Sequence, residues 1–424
     1  MSMYITIGVV VLFVVMMLSG KFSITMAGIT SVCILLLTKT ITLSQAFTPF
    51  VHKNIIMMIG MFTLAGQLGR TDLFLNLQEK MLSAKGNTDF KTAFLMFAIS
   101  CVLAQFLGQT ALITIMMAFL TAMGSKGEVT VSRMLIPITF LSTVWMGKLP
   151  VGSGMTSFLM PNTFIEAAGG TAFLDMFSFM KVSLVPGILL ALYCMFTYKM
   201  MPKKDVDLSA YTSRSNNNAV VRLSKKDNIC IYVAFVVCMT ALVFTQKLGE
   251  IAYCIPLIID IALIYLKVIT GKQMLQGLIQ GPALMGGSIL ALSDAITNSG
   301  VGDLVGNGIL SLLGGHPAPF VLLLTFGIVS VLLTSFVSNS ACIYVLVPVA
   351  CSVCVAAGYD CRAAALVVNI CSVMSVLTPM SSNGAALAYS TVGLSTKDTW
   401  KWAVPASLIG TLATVINCYL VYPL

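Results

Sequence analysis

Two polar triplets interrupt apolar runs that are otherwise suited to a bilayer. Ser338, Asn339 and Ser340 follow the stretch from Leu332 to Val337 and lead through Ala341 to Val347 and Pro348. Gly108, Gln109 and Thr110 stand about 230 positions earlier, also followed by Ala and an apolar run. Each triplet has a second interruption downstream. The first is Lys148-Leu149-Pro150-Val151-Gly152-Ser153-Gly154, with Pro161-Asn162 beyond it; the second is Thr378-Pro379-Met380-Ser381-Ser382-Asn383-Gly384. In hydrocarbon, backbone groups without partners cost several kcal/mol each, so such breaks belong where protein or a water-filled cavity surrounds them. A broken helix offers amides and a positive dipole end at one half-helix, which suit an anion, and free carbonyls at the other, which suit Na+. Hydroxyl and amide side chains add neutral donors that hold a carboxylate or sulfate without a permanent counter-charge. Pro and Gly also kink packed helices with no ligand involved. The pairing of triplet and break in both halves favours a site.

The elements that must position these residues follow from composition. Of 424 residues, 58% are hydrophobic and 9% charged, with mean hydropathy +0.97. A soluble domain carries about 25% charged residues, so this is an all-α polytopic membrane protein. No basic region or small-residue cleavage site marks the N-terminus as a cleavable signal. The 12 Cys are scattered, and the Cys351/Cys354 pair has no second such pair or nearby His, so it reads as core. An intramembrane enzyme would need a nucleophile–base pair or a metal cluster. Two His and no HExxH argue against it.

One basic hydrophilic linker cuts the chain in two, giving a first repeat at 1–199, a cytoplasmic linker at 200–227 and a second repeat at 228–424. A shift of about 230 lays the first triplet on the second, Arg133 on Arg362, and Pro150 on Pro379. Each half is expected to hold five spanning segments, a re-entrant hairpin and a broken helix; an odd number of crossings inverts the second half. With the linker inside, both termini are external and most of the 24 basic residues fall inside. Segments 42–50, 71–83, 271–280 and 301–312, of mixed polarity, are expected along the interface.

With these features in view, the chain resembles the divalent-anion:sodium symporter family, carriers of dicarboxylates, citrate or sulfate within a wider ion-transporter superfamily. That family has Ser-Asn-Thr at each hairpin tip, then Ala and an apolar run ending in Pro. Ser338-Asn339-Ser340-Ala341 and Pro348 follow this pattern with Ser for Thr. Gly152-Ser153-Gly154 and Pro161-Asn162 fall where the family has Gly-Thr-Gly and Pro-Asn, and Thr378-Pro379 with Asn383 resemble its Thr-Pro-Pro-Asn break. The resemblance covers essentially the whole chain. It implies one Na+ between each triplet and the nearby break: at Gly108, Gln109, Gly152 and Gly154, and at Ser338, Asn339, Leu377 and Asn383. The implied substrate contacts are Gln109, Thr110, Ser338, Asn339, Ser340, Thr378 and Pro379. It further implies a homodimer whose subunits each have a scaffold and a moving transport domain. The expected function is elevator-type secondary transport of a di- or tricarboxylate or sulfate. Na+ or H+ would be the coupling ion, with no other cofactor and no nucleic-acid partner. The expected location is a plasma membrane such as the bacterial inner membrane. Arsenite or Na+/H+ exchange, or dicarboxylate exchange, are the alternatives.

Two departures bear on the first site. Gly108-Gln109-Thr110 replaces Ser-Asn-Thr, losing a hydroxyl, and Lys148 stands beside the first break. A lysine at membrane depth is costly and functional by default. It is expected either to replace the first Na+ with a tethered charge facing the tip or to snorkel toward an interface. Asp260 and Asp294 each face a pathway or a packed helix, His52 and His316 read as interfacial, and Trp145, Trp400 and Trp402 as interface anchors.

Overall fold

A chain this apolar must satisfy its backbone within its own segments, and every described element is helical. The computed structural model describes residues 2–19, 22, 24–68, 70–73, 76, 90–109, 112, 113, 115–117, 120, 129–150, 153–204, 206, 222–279, 282–301, 304, 307, 308, 311, 317–374 and 376–423. Most of the linker placed at 200–227, and most of segments 71–83 and 301–312, lie outside the described residues. The first half runs α1 (Ser2–Leu18), α2 (Ile24–Leu37), α3 (Leu43–Phe47), α4 (Lys53–Leu68), α5 (Phe90–Leu103), α6 (Val131–Trp145), α7 (Ser153–Ala167) and α8 (Ser178–Thr197). The second runs α9 (Lys225–Val243), α10 (Thr245–Leu248), α11 (Ile251–Tyr265), α12 (Gly271–Ile279), α13 (Pro282–Asn298), α14 (Pro319–Thr334), α15 (Asn339–Ala357), α16 (Cys361–Cys371), α17 (Asn383–Val392) and α18 (Thr396–Val421).

Local chemistry repeats between the halves. Lys39 and Lys267, the two described non-glycine residues with positive φ, take +56° and +59° at the same offset of about 230. Each precedes a threonine that caps a short helix with a glutamine: Thr42 N–H donates to Gln45 Oε1 at 2.9 Å and Thr270 N–H to Gln273 Oε1 at 2.7 Å. These caps open α3 and α12, which occupy the segments expected at 42–50 and 271–280. Among the described residues, three helical stretches are long and apolar enough to cross a bilayer alone: Ser178–Met200, Asn339–Ala357 and Thr396–Val421. Shorter apolar helices include α6 and α16, each of which stops at a polar break and resumes as α7 or α17.

Packing divides the helices into two bodies. α1 to α4 and α9 to α13 pack among themselves, most extensively α4 on α11 and α2 on α13. The other body holds α5, α6, α8 and α14 to α18, with α8 against α18 and α16 against α14, α15 and α18. α7 joins the second body through α15 and α16 and makes the principal contacts to the first, against α4 and α13. α16 is the second body's axis: every residue from Ala363 to Cys371 is buried, small side chains allowing close approach. Trp402, expected as an interface anchor, is buried too. Its Nε1 donates to Thr197 Oγ1 at 2.8 Å, because α18 packs on α8 over that ring. Trp145 Nε1 likewise donates to Gly187 O at 3.1 Å, while Trp400 is exposed.

Candidate functional site

The second tip is built by capping. α14 ends at Thr334, the chain turns, and the Ser338 hydroxyl accepts from Ala341 N–H at the start of α15. The Thr334 hydroxyl donates to Ser372 O at 2.7 Å. A hydroxyl donates once, so the Asn339 amide nitrogen, not its oxygen, faces Thr334. In that orientation it donates to Thr334 Oγ1 and Ser381 O, both at 2.8 Å, with Ser372 O at 3.1 Å. The Thr378 hydroxyl donates to Ser335 O and accepts from Met380 N–H at 3.2 Å. Asn339 and Thr378 thus tie the second tip to the second break. Ser338 and Ser340 remain exposed at the tip, with Leu377 and Pro379 half-buried beside Thr378.

The first tip reaches the opposite half. Gln109 Nε2 donates to Thr143 Oγ1 at 2.7 Å, and its Oε1 accepts from Gly384 N–H at 3.3 Å. Gly384 is in the first turn of α17, whose amides have no intrahelical partner. A Cβ there would lie 2.4 Å from Gln109 Cδ and 2.5 Å from Ile113 Cδ1, so a larger residue would push one of these side chains aside. Gly108 is exposed beside it. Thr110 and Gly152 lie outside the described residues, as does the side chain of Asn383.

The first break closes tightly. Gly147 takes φ +81°, and a Cβ on Gly154 would lie 1.7 Å from Leu149 O. Gln105, not singled out from sequence, holds the ends of this break: its amide nitrogen donates to Trp145 O and its oxygen accepts from Leu149 N–H at 3.0 Å. Its signal was a lone amide three residues before Gly108. Across the halves, Asn369 Nδ2 of α16 donates to Ser157 O of α7 at 3.4 Å. Each distal half-helix therefore packs on the other half: α7 on α16, and α17 on α6.

Two broken helices, each packed on the other half of the chain, thus frame the candidate site. A citrate-transporter family model matches residues 11–260, and the model of the sodium:sulfate symporter transmembrane region matches residues 161–422, each more than half of the chain. The chain belongs to the divalent-anion:sodium symporter family. An uncharacterised transporter of Methanocaldococcus jannaschii is 25% identical over 345 residues, 78% of this chain and 74% of that protein. An uncharacterised transporter of Synechocystis is 29% identical over 134 residues, 32% of this chain and 22% of that protein. In fold, the chain is similar to the YdaH transporter of Alcanivorax borkumensis, with TM-score 0.58, 14% identity and coverage of 89% of this chain and 86% of that one. It is similar as well to MtrF of Neisseria gonorrhoeae, with TM-score 0.60, 13% identity and coverage of 91% and 84%. The protein is a multi-pass membrane transporter, not an enzyme.

In this symporter-family member, Lys148 is 3% exposed and its ammonium donates to Ser183 O at 2.6 Å, 5.3 Å over the Trp145 ring. The space it fills exists because residue 187 is glycine: a Cβ there would lie 2.7 Å from Nζ. Among the described residues it makes no hydrogen bond to Gly108 or Gln109. Asp260 is fully buried in α11, which packs on α4, and the Thr63 hydroxyl of α4 is the group that stands beside its carboxylate. Cys351 and Cys354 are buried in α15, as core residues should be. His316 lies outside the described residues.

Proposed function

We propose that this chain is a secondary active transporter of a small divalent anion, a di- or tricarboxylate or sulfate, coupled to Na+. The second body slides past the first in an elevator motion. The observation that carries this reading is the contact of Gln109 with Gly384, which brings the first polar tip onto the unpaired amides of the second break. Neutral amides, hydroxyls and a helix N-terminus gather there without a permanent positive charge, so an anion can be released as well as held. The Asn339 amide draws Ser381 O and Thr334 Oγ1 together at the second tip, where the remaining lone pairs of such neutral oxygens are the ligands Na+ would use. Residues 1–199 and 228–424 act as inverted repeats, with the linker cytoplasmic and both termini outside. The working unit is a homodimer joined through the first bodies, in a bacterial inner membrane. Thermal unfolding of the purified protein against citrate, dicarboxylates and sulfate, in Na+ and in K+, tests the binding step. At least one of these anions should raise the midpoint, and more so in Na+. No shift with any of them contradicts the reading.

A further inference from the structure

A cavity of about 550 Å³ opens between the two bodies, lined by residues of α3, α7 and α13 and not by the described tip residues. Ser44, Gln45, Thr48 and His52 line it from the α3 side, Asp294 from α13, and Glu166 from the last turn of α7. α7 is the helix that carries the principal contacts between the bodies, so whatever binds here joins the two bodies. His52 Nε2 of the first body stands 3.5 Å from Glu166 Oε2 of the second. Two carboxylates beside a neutral imidazole exclude an anion, so this is not a second substrate site. We propose that His52, Glu166 and Asp294 form an external proton-binding site that locks the second body against the first when the outside is acidic. The proposal rests on the two-body reading above and on its topology, which puts this face outside.

Lys53 from α4 and Glu166 from α7 act on His52, and Asp294 from α13 lines the same cavity beside Glu166. Burial holds the imidazole below its ordinary range, Glu166 opposes that, and Lys53 adds to it. His52 is therefore neutral at neutral pH and takes a proton from the external solution only on acidification. The contact with Glu166 then becomes a charge-assisted bond across the sliding boundary. Because Glu166 is half exposed, the lock should slow body separation by about two- to fivefold.

The test introduces Thr163→Cys, a position 1% exposed on the α7 lining of the cavity, and follows its maleimide modification by mass spectrometry in nanodiscs. Rates are compared at equal pH between the Thr163→Cys protein and the same protein carrying His52→Gln or Glu166→Gln. This cancels the thiol's own pH dependence. At pH 7.5 the three should label alike. As the pH is then lowered in steps, the protein with both His52 and Glu166 should fall behind either variant, to about two- to fivefold slower labelling. Equal rates throughout the series overturn the lock. The readout needs no transport, so a lock without anion uptake would fail the proposed function alone.

Discussion

Gly384 donates its backbone N–H to the side-chain oxygen of Gln109 across 275 positions of sequence, joining a tip from one half to a break from the other. The contact crosses the repeat boundary, and the glycine leaves no room for a Cβ beside the glutamine. A site made this way belongs to neither half alone, and the relation invites direct substitution.

Gly384→Ala forces Gln109 or Ile113 to move, and Gln109→Ala leaves the α17 amide without its partner. Leaving a buried polar group unpaired costs about 1–3 kcal/mol, so each change should lower uptake by roughly 5- to 100-fold with folded yield retained. The double variant should be less than additive, because both remove one contact. Additive losses in labelled-anion uptake would mean that the two residues act separately.

Asn339→Asp should be as damaging as Asn339→Ala. The aspartate lacks the amide hydrogens given to Ser381 O and Thr334 Oγ1, and turns oxygen toward oxygen. Uptake at subsaturating anion, beside size-exclusion profiles showing intact protein, is the measurement. Asn339→Asp with near-normal uptake would remove the donor role.

Lys148→Met keeps the length of the side chain and loses the hydrogen bond to Ser183 O. A buried polar group left unpaired costs about 1–3 kcal/mol, so the melting midpoint should fall. Lys148→Arg should fare no better, since a planar fork does not fit the gap opened by Gly187. If Lys148→Met instead changes the order of Na+ dependence with stability intact, the ammonium serves the first cation site directly.

Asp260→Asn should unfold at the same temperature as the parent or higher, and Asp260→Leu higher still. Burial in α11 is a cost to the carboxyl that one neighbouring hydroxyl, that of Thr63, offsets only in part, and either change removes it. A loss of several degrees in either variant would mean that the contact with Thr63 outweighs the cost of burial.

Much of this was legible in the sequence, and the residues explain why. Class and helicity follow from an apolar, charge-poor composition. Backbone breaks were legible because Pro and Gly announce them. What each polar side chain touches was not. Lys148 turns to Ser183 because Gly187 leaves a gap one helix away, and nothing near Lys148 in sequence signals that gap. Gln105 was missed because a single amide inside an apolar run reads as part of the run, although it holds both ends of the first break. Trp402 was read by residue type as an anchor, while its burial depends on α18 packing on α8. The division into two bodies, and the role of α7 between them, exist only in the packing.

Uptake of labelled citrate, dicarboxylates and sulfate into proteoliposomes under an inward Na+ gradient tests the central claim most directly. The account predicts concentrative uptake of at least one of these anions, lost when K+ replaces Na+ and lost in Asn339→Ala. Absence of uptake for every anion, or uptake unchanged in Asn339→Ala, would contradict it.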